Sequence, residues 1–161
     1  MEQTLGMDLI LARAIHVFAV VLWIGGVAFV TTILFPAVRR TEPPQQRLAA
    51  FLLFEARFAP QARITVALAG VSGLYLVIDL QAWDRFTSLH FWWMHAMVGL
   101  WLVFALMLFI IEPFVLHPRL AEALENPDSG QIFDRMERLH RILLGLSLIS
   151  LLGAVAGSHG L

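Results

Sequence analysis

The sequence predicts an all-α integral membrane protein, a single domain over residues 1–161 folded as a four-transmembrane-helix bundle. Three observations carry that expectation. Apolar side chains make up 59% of the chain and charged ones 14%, where a soluble domain has roughly half and a quarter, and the mean hydropathy is +0.77. The apolar residues collect in runs near the ~20 residues that a helix needs to cross a bilayer. The basic residues gather in two of the stretches between those runs, as expected of loops on one side of a membrane.

The spans are expected at about 9–36, 62–82, 90–114 and 141–158. Ala14 to Phe35 is interrupted by nothing more polar than His16, Thr31 and Thr32, and Pro36 with Arg39 and Arg40 closes it. The acidic Glu2 and Asp8 ahead of Arg13, and the length of the run, argue for a retained span rather than a signal peptide. Between spans one and two, Pro43-Pro44 breaks the chain. Gln45 to Arg57 then places Leu48, Phe51, Leu52 and Phe54 at helical spacing, which predicts a helix lying in the interface. Span two lies between Arg63 and Asp79 and is short for a crossing, so either its ends snorkel or it continues toward Trp83. Span three starts at Trp92 and Trp93 as interfacial aromatics and ends at Glu112-Pro113. Pro118 to Arg141 reads as two short charged helices around the turn Asn126-Pro127-Asp128-Ser129-Gly130, and span four follows.

Four spans put both termini on one side. Nine of the 11 basic residues, all of them Arg, fall in the 1–2 and 3–4 loops or at their margins, leaving Arg13 and Arg85 on the other side. The loops are therefore expected in the cytoplasm and both termini on the outer, periplasmic side of a bacterial inner membrane. The near balance of Arg against seven Glu and five Asp gives no reason to expect a nucleic-acid partner. Without Cys there is no disulfide, thiolate metal site, iron–sulfur cluster or covalent haem attachment. A metal would have to be held by His, Met or carboxylate.

Ionisable groups within spans mark function by default, so the six His residues are sorted by depth. His16 on span one and His95 on span three share the outer leaflet at similar depth. His90 and His159 fall at the outer surface, and His117 and His140 at the inner one. Two imidazoles at one depth on neighbouring helices suit bis-axial haem ligation. Arg13, one turn outward of His16, is placed to pair with a haem propionate or to snorkel to the headgroups. Gly99, one turn inward of His95, would let a flat macrocycle approach, and Trp23 would close the pocket two turns below His16. Met94 and Met97 around His95 give the same site an alternative copper-binding character. Gly25-Gly26, Gly70, Gly73 and Gly153-Ala154-Val155-Ala156-Gly157 read as close helix packing, the last also as a homodimer seam. Glu112, Arg63, His117, His140 and Arg141 read as ion pairs and helix-end contacts at the inner boundary, in preference to a second haem or a proton relay.

The stretch Ala14-Ile15-His16-Val17-Phe18, followed by Leu22-Trp23-Ile24-Gly25-Gly26, resembles the first helix shared by HemJ-type protoporphyrinogen oxidases and CopD-like copper-resistance membrane proteins. The likeness extends through the arginine-rich first loop to Trp92-Trp93-Met94-His95. For the HemJ type it implies a haem b protein with a functional His in the first helix and a functional Lys in the third. His95 falls opposite that Lys, and the chain contains no Lys. The expected function is a b-type haem protein with a bis-His haem between His16 and His95, exchanging electrons with a quinone or a membrane redox partner. Protoporphyrinogen IX oxidation and copper transport are the alternatives that the resemblance supplies. A cofactor-free helper subunit is a further one.

Overall fold

The computed structural model describes residues 2–116, 119, 124 and 128–158. His117, His159 and most of the 3–4 loop, including the first of its two expected short helices, lie outside the described residues. The described chain is almost wholly helical: α1 (Glu2–Phe29), α2 (Phe35–Thr41), α3 (Arg47–Asp79), α4 (Trp92–Leu106) and α5 (Ser129–Ser158), with π-helical stretches at Val30–Leu34 and Met107–Leu116. Four segments are long and apolar enough to cross a membrane: Gly6–Thr41, Arg47–Asp79, Leu89–Phe114 and Ser129–Gly157. The protein is a membrane protein built as a four-helix bundle. Its outer surface is apolar, with Leu53, Val71 and Leu152 each at least 70% exposed, as lipid-facing residues are.

Consecutive spans pack as antiparallel neighbours. α1 lies along α3 and α4 along α5, while α3 also meets α4 and α5 also meets α1. α1 and α4, the helices that carry His16 and His95, are therefore diagonal across the bundle rather than neighbouring, because the short connections fold each span back on the one before it.

The helices run further than their prolines suggest. Pro36 does not end the first span: α2 follows directly on the π-helical turn, with Pro36 in its first turn, where a missing N–H is tolerated. Thr31 and Thr32 donate to the carbonyls of Val27 (2.6 Å) and Ala28 (2.8 Å) at that turn. Pro113 is likewise carried inside the π-helical end of the third span. The second span is not short, and Gln45 to Arg57 is not a separate interfacial helix. α3 is one helix of 33 residues that passes through Pro60. The reason is packing: Leu48 and Phe51 are 2% and 1% exposed, buried with Phe35, Val38 and Phe133 in a core at the loop end. Phe51 stacks on Phe35 at 4.4 Å, and Phe133 meets Phe35 edge-on at 5.2 Å. At its other end α3 stops at Asp79, where Gln81 adopts a left-handed conformation (φ 51°) that a helix cannot continue through. The helix expected after the Asn126–Gly130 turn is the start of α5, which runs unbroken from Ser129 into span four.

Charges hold the loop end together. Glu137, 3% exposed, accepts from both Arg39 and Arg141, and Arg39 also reaches Asp134 at 2.6 Å. Arg63 donates to Glu112 at 2.6 Å and to the Leu108 carbonyl at 3.1 Å, tying α3 to the π-helical end of the third span.

At the opposite end Trp92 and Trp93 are packing residues. A Cβ built on Gly153 would lie 2.6 Å from the Trp92 ring and 3.2 Å from the Trp93 Cβ, and one on Gly157 would strike the Trp93 indole. The Gly153–Gly157 stripe is thus used within the chain, by α4, and is not free to form the homodimer seam that its spacing suggested. Gly153→Leu is expected to lose about 1–3 kcal/mol of stability through overpacking, because the Trp93 Cβ cannot move without its backbone. Thermal unfolding in detergent checks this against Leu152→Ala on the lipid face, which should stay within about 0.5 kcal/mol of the parent.

Candidate functional site

His16 lies on the α1–α3 seam. Its Nδ1 is 3.0 Å from the Ala69 carbonyl oxygen and 3.1 Å from Ser72 Oγ, while Ser72 itself donates to the Leu68 carbonyl at 2.5 Å. A carbonyl only accepts, so Nδ1 carries the proton, and Nε2 has no hydrogen-bond partner among the described residues. The ring fits because α3 has small residues there: a Cβ on Gly73 would meet His16 Cε1 at 3.0 Å. Anchoring one imidazole nitrogen on a backbone carbonyl and leaving the other uncommitted is the arrangement that orients metal-ligating histidines.

His95 is differently placed. Its Nδ1 lies 3.1 Å from the Phe91 carbonyl and its Nε2 3.0 Å from the Phe86 carbonyl, with the Phe86 ring edge-on at 5.6 Å. Both nitrogens face acceptors, so in this arrangement neither offers a lone pair to a metal. The residue pins the 3-10 turn Ala82–Thr87 to the start of α4.

The bundle does place the two residues at one level. Trp23 and Phe104 meet edge-on at 5.0 Å. Since α1 and α4 run the same way, counting back from that contact puts His16 level with Met97, about 3 Å from His95 along the axis. The side chains nevertheless turn apart: His16 goes to α3 and His95 to the α3–α4 connection. No hydrogen bond joins them among the described residues. Met94 is buried at 7% exposure, and no group of three His, Asp or Glu suited to a metal occurs among the described residues.

The remaining expected site residues divide. Trp23 is 7% exposed among Val27, Val66, Ala69 and Leu144, and its indole N–H is a buried donor without an acceptor among the described residues. That is uncommon enough in a folded protein to require a reason. Arg13 is exposed one turn from His16 and forms no ion pair among the described residues. Gly99 is exposed, and a Cβ there would meet nothing within 4 Å, so it borders open space rather than a packed partner. Of the other glycines, Gly26 admits Phe58 and Gly70 admits Trp101, whose indole donates to the Val66 carbonyl at 2.8 Å. Gly25 packs against nothing.

At the loop end, His140 places Nδ1 2.9 Å from the Met136 carbonyl and its ring 5.1 Å from Phe35, which is a core contact. Sequence reasoning missed Glu137. The one available signal was its i,i+4 spacing to Arg141; the partner from α2, Arg39, is 98 residues away in the chain.

No protein-family model, no curated protein and no solved structure matches the chain.

If the Trp23 N–H has no acceptor in the protein as isolated, Trp23→Phe removes an unmet donor and is expected to leave stability unchanged or raised by about 1 kcal/mol, within the range for an unsatisfied buried group. A loss larger in the haem-loaded protein than in the haem-free protein, beyond the cavity cost common to both, would show that the indole donates to a bound group.

Proposed function

We propose that the chain is an integral-membrane b-type haem protein in which His16 supplies an axial nitrogen near the bundle end that carries both termini, and that it exchanges single electrons with a quinone or another membrane redox partner. One observation carries the reading: an imidazole within a membrane span, fixed through Nδ1 to the Ala69 carbonyl and with no hydrogen-bond partner at Nε2 among the described residues. The unmet Trp23 N–H two turns below it supports the reading, as a donor whose acceptor would come from outside the chain. Haem iron, when bound, supplies the one-electron chemistry. The chain's own residues bind it, orient it and keep it dry.

The donor set fits at His16 and does not fit at His95 as His95 stands. Ligation by His95 through Nε2 would break its contact with the Phe86 carbonyl, and with it the hold on the α3–α4 connection, while the Nδ1 contact with Phe91 would remain. The proposal therefore assigns iron to His16 and gives His95 the task of holding that connection. Arg13, exposed and without an ion pair among the described residues, is the residue available to a propionate. Copper gains no support from the Met94 and Met97 pair, since Met94 is packed inside. Porphyrinogen oxidation gains none from a chain without Lys. In the proposed orientation the arginine-rich loop end faces the cytoplasm of a bacterial inner membrane and the His16 end faces outward.

The test compares His16→Gly with His95→Gln, both expressed with ample haem and checked for monodispersity and helicity. His16→Gly is expected to lose the Soret band and regain it with added imidazole, while His95→Gln keeps its haem at lower thermal stability. An unchanged spectrum in His16→Gly would remove the proposal. Loss of haem in both variants would restore His95 as a ligand.

A further inference from the structure

A groove of about 450 Å³ runs down the membrane-facing side of the α1–α3 seam, on the loop half of the bundle, and belongs to neither the His16 contacts nor the loop-end charge cluster. Its form follows from side-chain size. Ala19, fully buried, and Thr65, 4% exposed, make a low floor, while Phe18 and Leu22 on one helix and Ile64 and Leu68 on the other make the walls. Thr65 turns its hydroxyl onto the Gln61 and Ala62 carbonyls at 3.1 Å each, which leaves its methyl for the groove. The interior is apolar along its length.

The loop-side mouth is different. Arg57 and Gln61 line it, one turn apart on α3. Arg57 is exposed and forms no ion pair or hydrogen bond among the described residues, unlike Arg39, Arg47, Arg63 and Arg141, each of which has a partner. Glu55, two residues away, lies about 200° around the helix from Arg57 and does not line the groove. Depth fixes what meets this charge. Arg57 stands 22 residues from Asp79 at the far end of α3, about 33 Å along the axis, close to the ~30 Å of a hydrocarbon core. Its guanidinium therefore sits at headgroup level. From there to Leu68 the groove descends about 16 Å, the scale of a lipid tail.

We propose that this groove is a specific site for an anionic phospholipid, whose phosphate takes the Arg57 guanidinium and the Gln61 amide and whose acyl chain lies along Phe18, Leu22, Ile64 and Leu68. Charge complementarity selects the class. A lone guanidinium at a membrane surface attracts anionic headgroups, and its planar donors match the phosphate oxygens. A neutral isoprenoid such as a quinone would use the apolar walls and leave the cation unmatched. The site stands apart from the haem proposal and does not depend on it.

The experiment is native mass spectrometry of the full chain released from nanodiscs containing equal parts phosphatidylglycerol and phosphatidylethanolamine. Phosphatidylglycerol is expected to be retained over phosphatidylethanolamine. Arg57→Gln should lower that preference about fivefold, the loss of one basic contact to an anionic surface. Arg40→Gln removes an equal charge from the exposed loop end outside the groove, where no headgroup is held against an acyl-chain groove, and should lower the preference by less than about half as much. Leu68→Trp fills the deep end without touching the charge and should also lower retention. Equal losses from Arg57→Gln and Arg40→Gln would reduce the effect to general surface charge and overturn the proposal. So would equal retention of the two lipids, unchanged retention in Leu68→Trp, or a co-purifying quinone in place of the lipid.

Discussion

The close approach of α1 and α3 is the constraint on which the rest of the molecule depends. It exists because small residues line the seam: Ala19 and Gly26 on one helix, Ala62, Ala69 and Gly73 on the other. Lipid tails are as apolar as leucine, so helices in a membrane gain little from hiding apolar surface and associate through tight packing and hydrogen bonds instead. At Gly73 the missing Cβ admits the His16 ring, and the short distance lets that ring reach a backbone carbonyl already bonded within its own helix. Further along, Gly26 admits Phe58, and Ala19 leaves the floor of the groove low. The anchored imidazole and the lipid-facing groove are two consequences of one narrow seam.

A second constraint shapes the ends. Inside a bilayer every backbone polar group must be satisfied by the chain itself, which is why the helices continue through Pro36, Pro60 and Pro113 instead of breaking. The π-helical turns take up the irregularity at two of the three. At the loop end the structure assembles its aromatic core of Phe35, Phe51 and Phe133, and the same end carries the buried Glu137. That carboxylate serves two arginines from two helices. Removing it would take away the partner of Arg141 and leave Arg39 held to α5 by Asp134 alone.

The four spans were legible from composition and run length, because transfer to lipid acts on each residue wherever its partners are. The extent of the helices was not. Pro36 and Pro113 carry strong local stop signals that tertiary packing overrides, and the amphipathic stretch before Arg57 looks interfacial until Phe133, 82 positions further on than Phe51, is brought against it. The same limit applies to the site. Depth along a helix can be counted from sequence, and counting from the Trp23–Phe104 contact sets His16 and His95 about 3 Å apart along the axis. Azimuth and partner cannot be counted so easily, and these send one imidazole to Ala69 and the other to Phe86. Trp23 was legible as a residue of interest, but its unmet N–H is a property of the packed bundle. Glu137 differs from the other carboxylates in the two arginines opposite it, and Arg57 from the other unpaired arginines in the groove it lines.

The central claim is that an intramembrane histidine, held on a backbone carbonyl, serves a redox cofactor. The most direct measurement is a reduced-minus-oxidised absorption spectrum of the detergent-purified wild-type protein, with iron and copper determined on the same sample. The account predicts a b-type haem spectrum with iron near one per chain and no stoichiometric copper. A protein that is monodisperse, helical and free of visible absorption after expression with ample haem would contradict it.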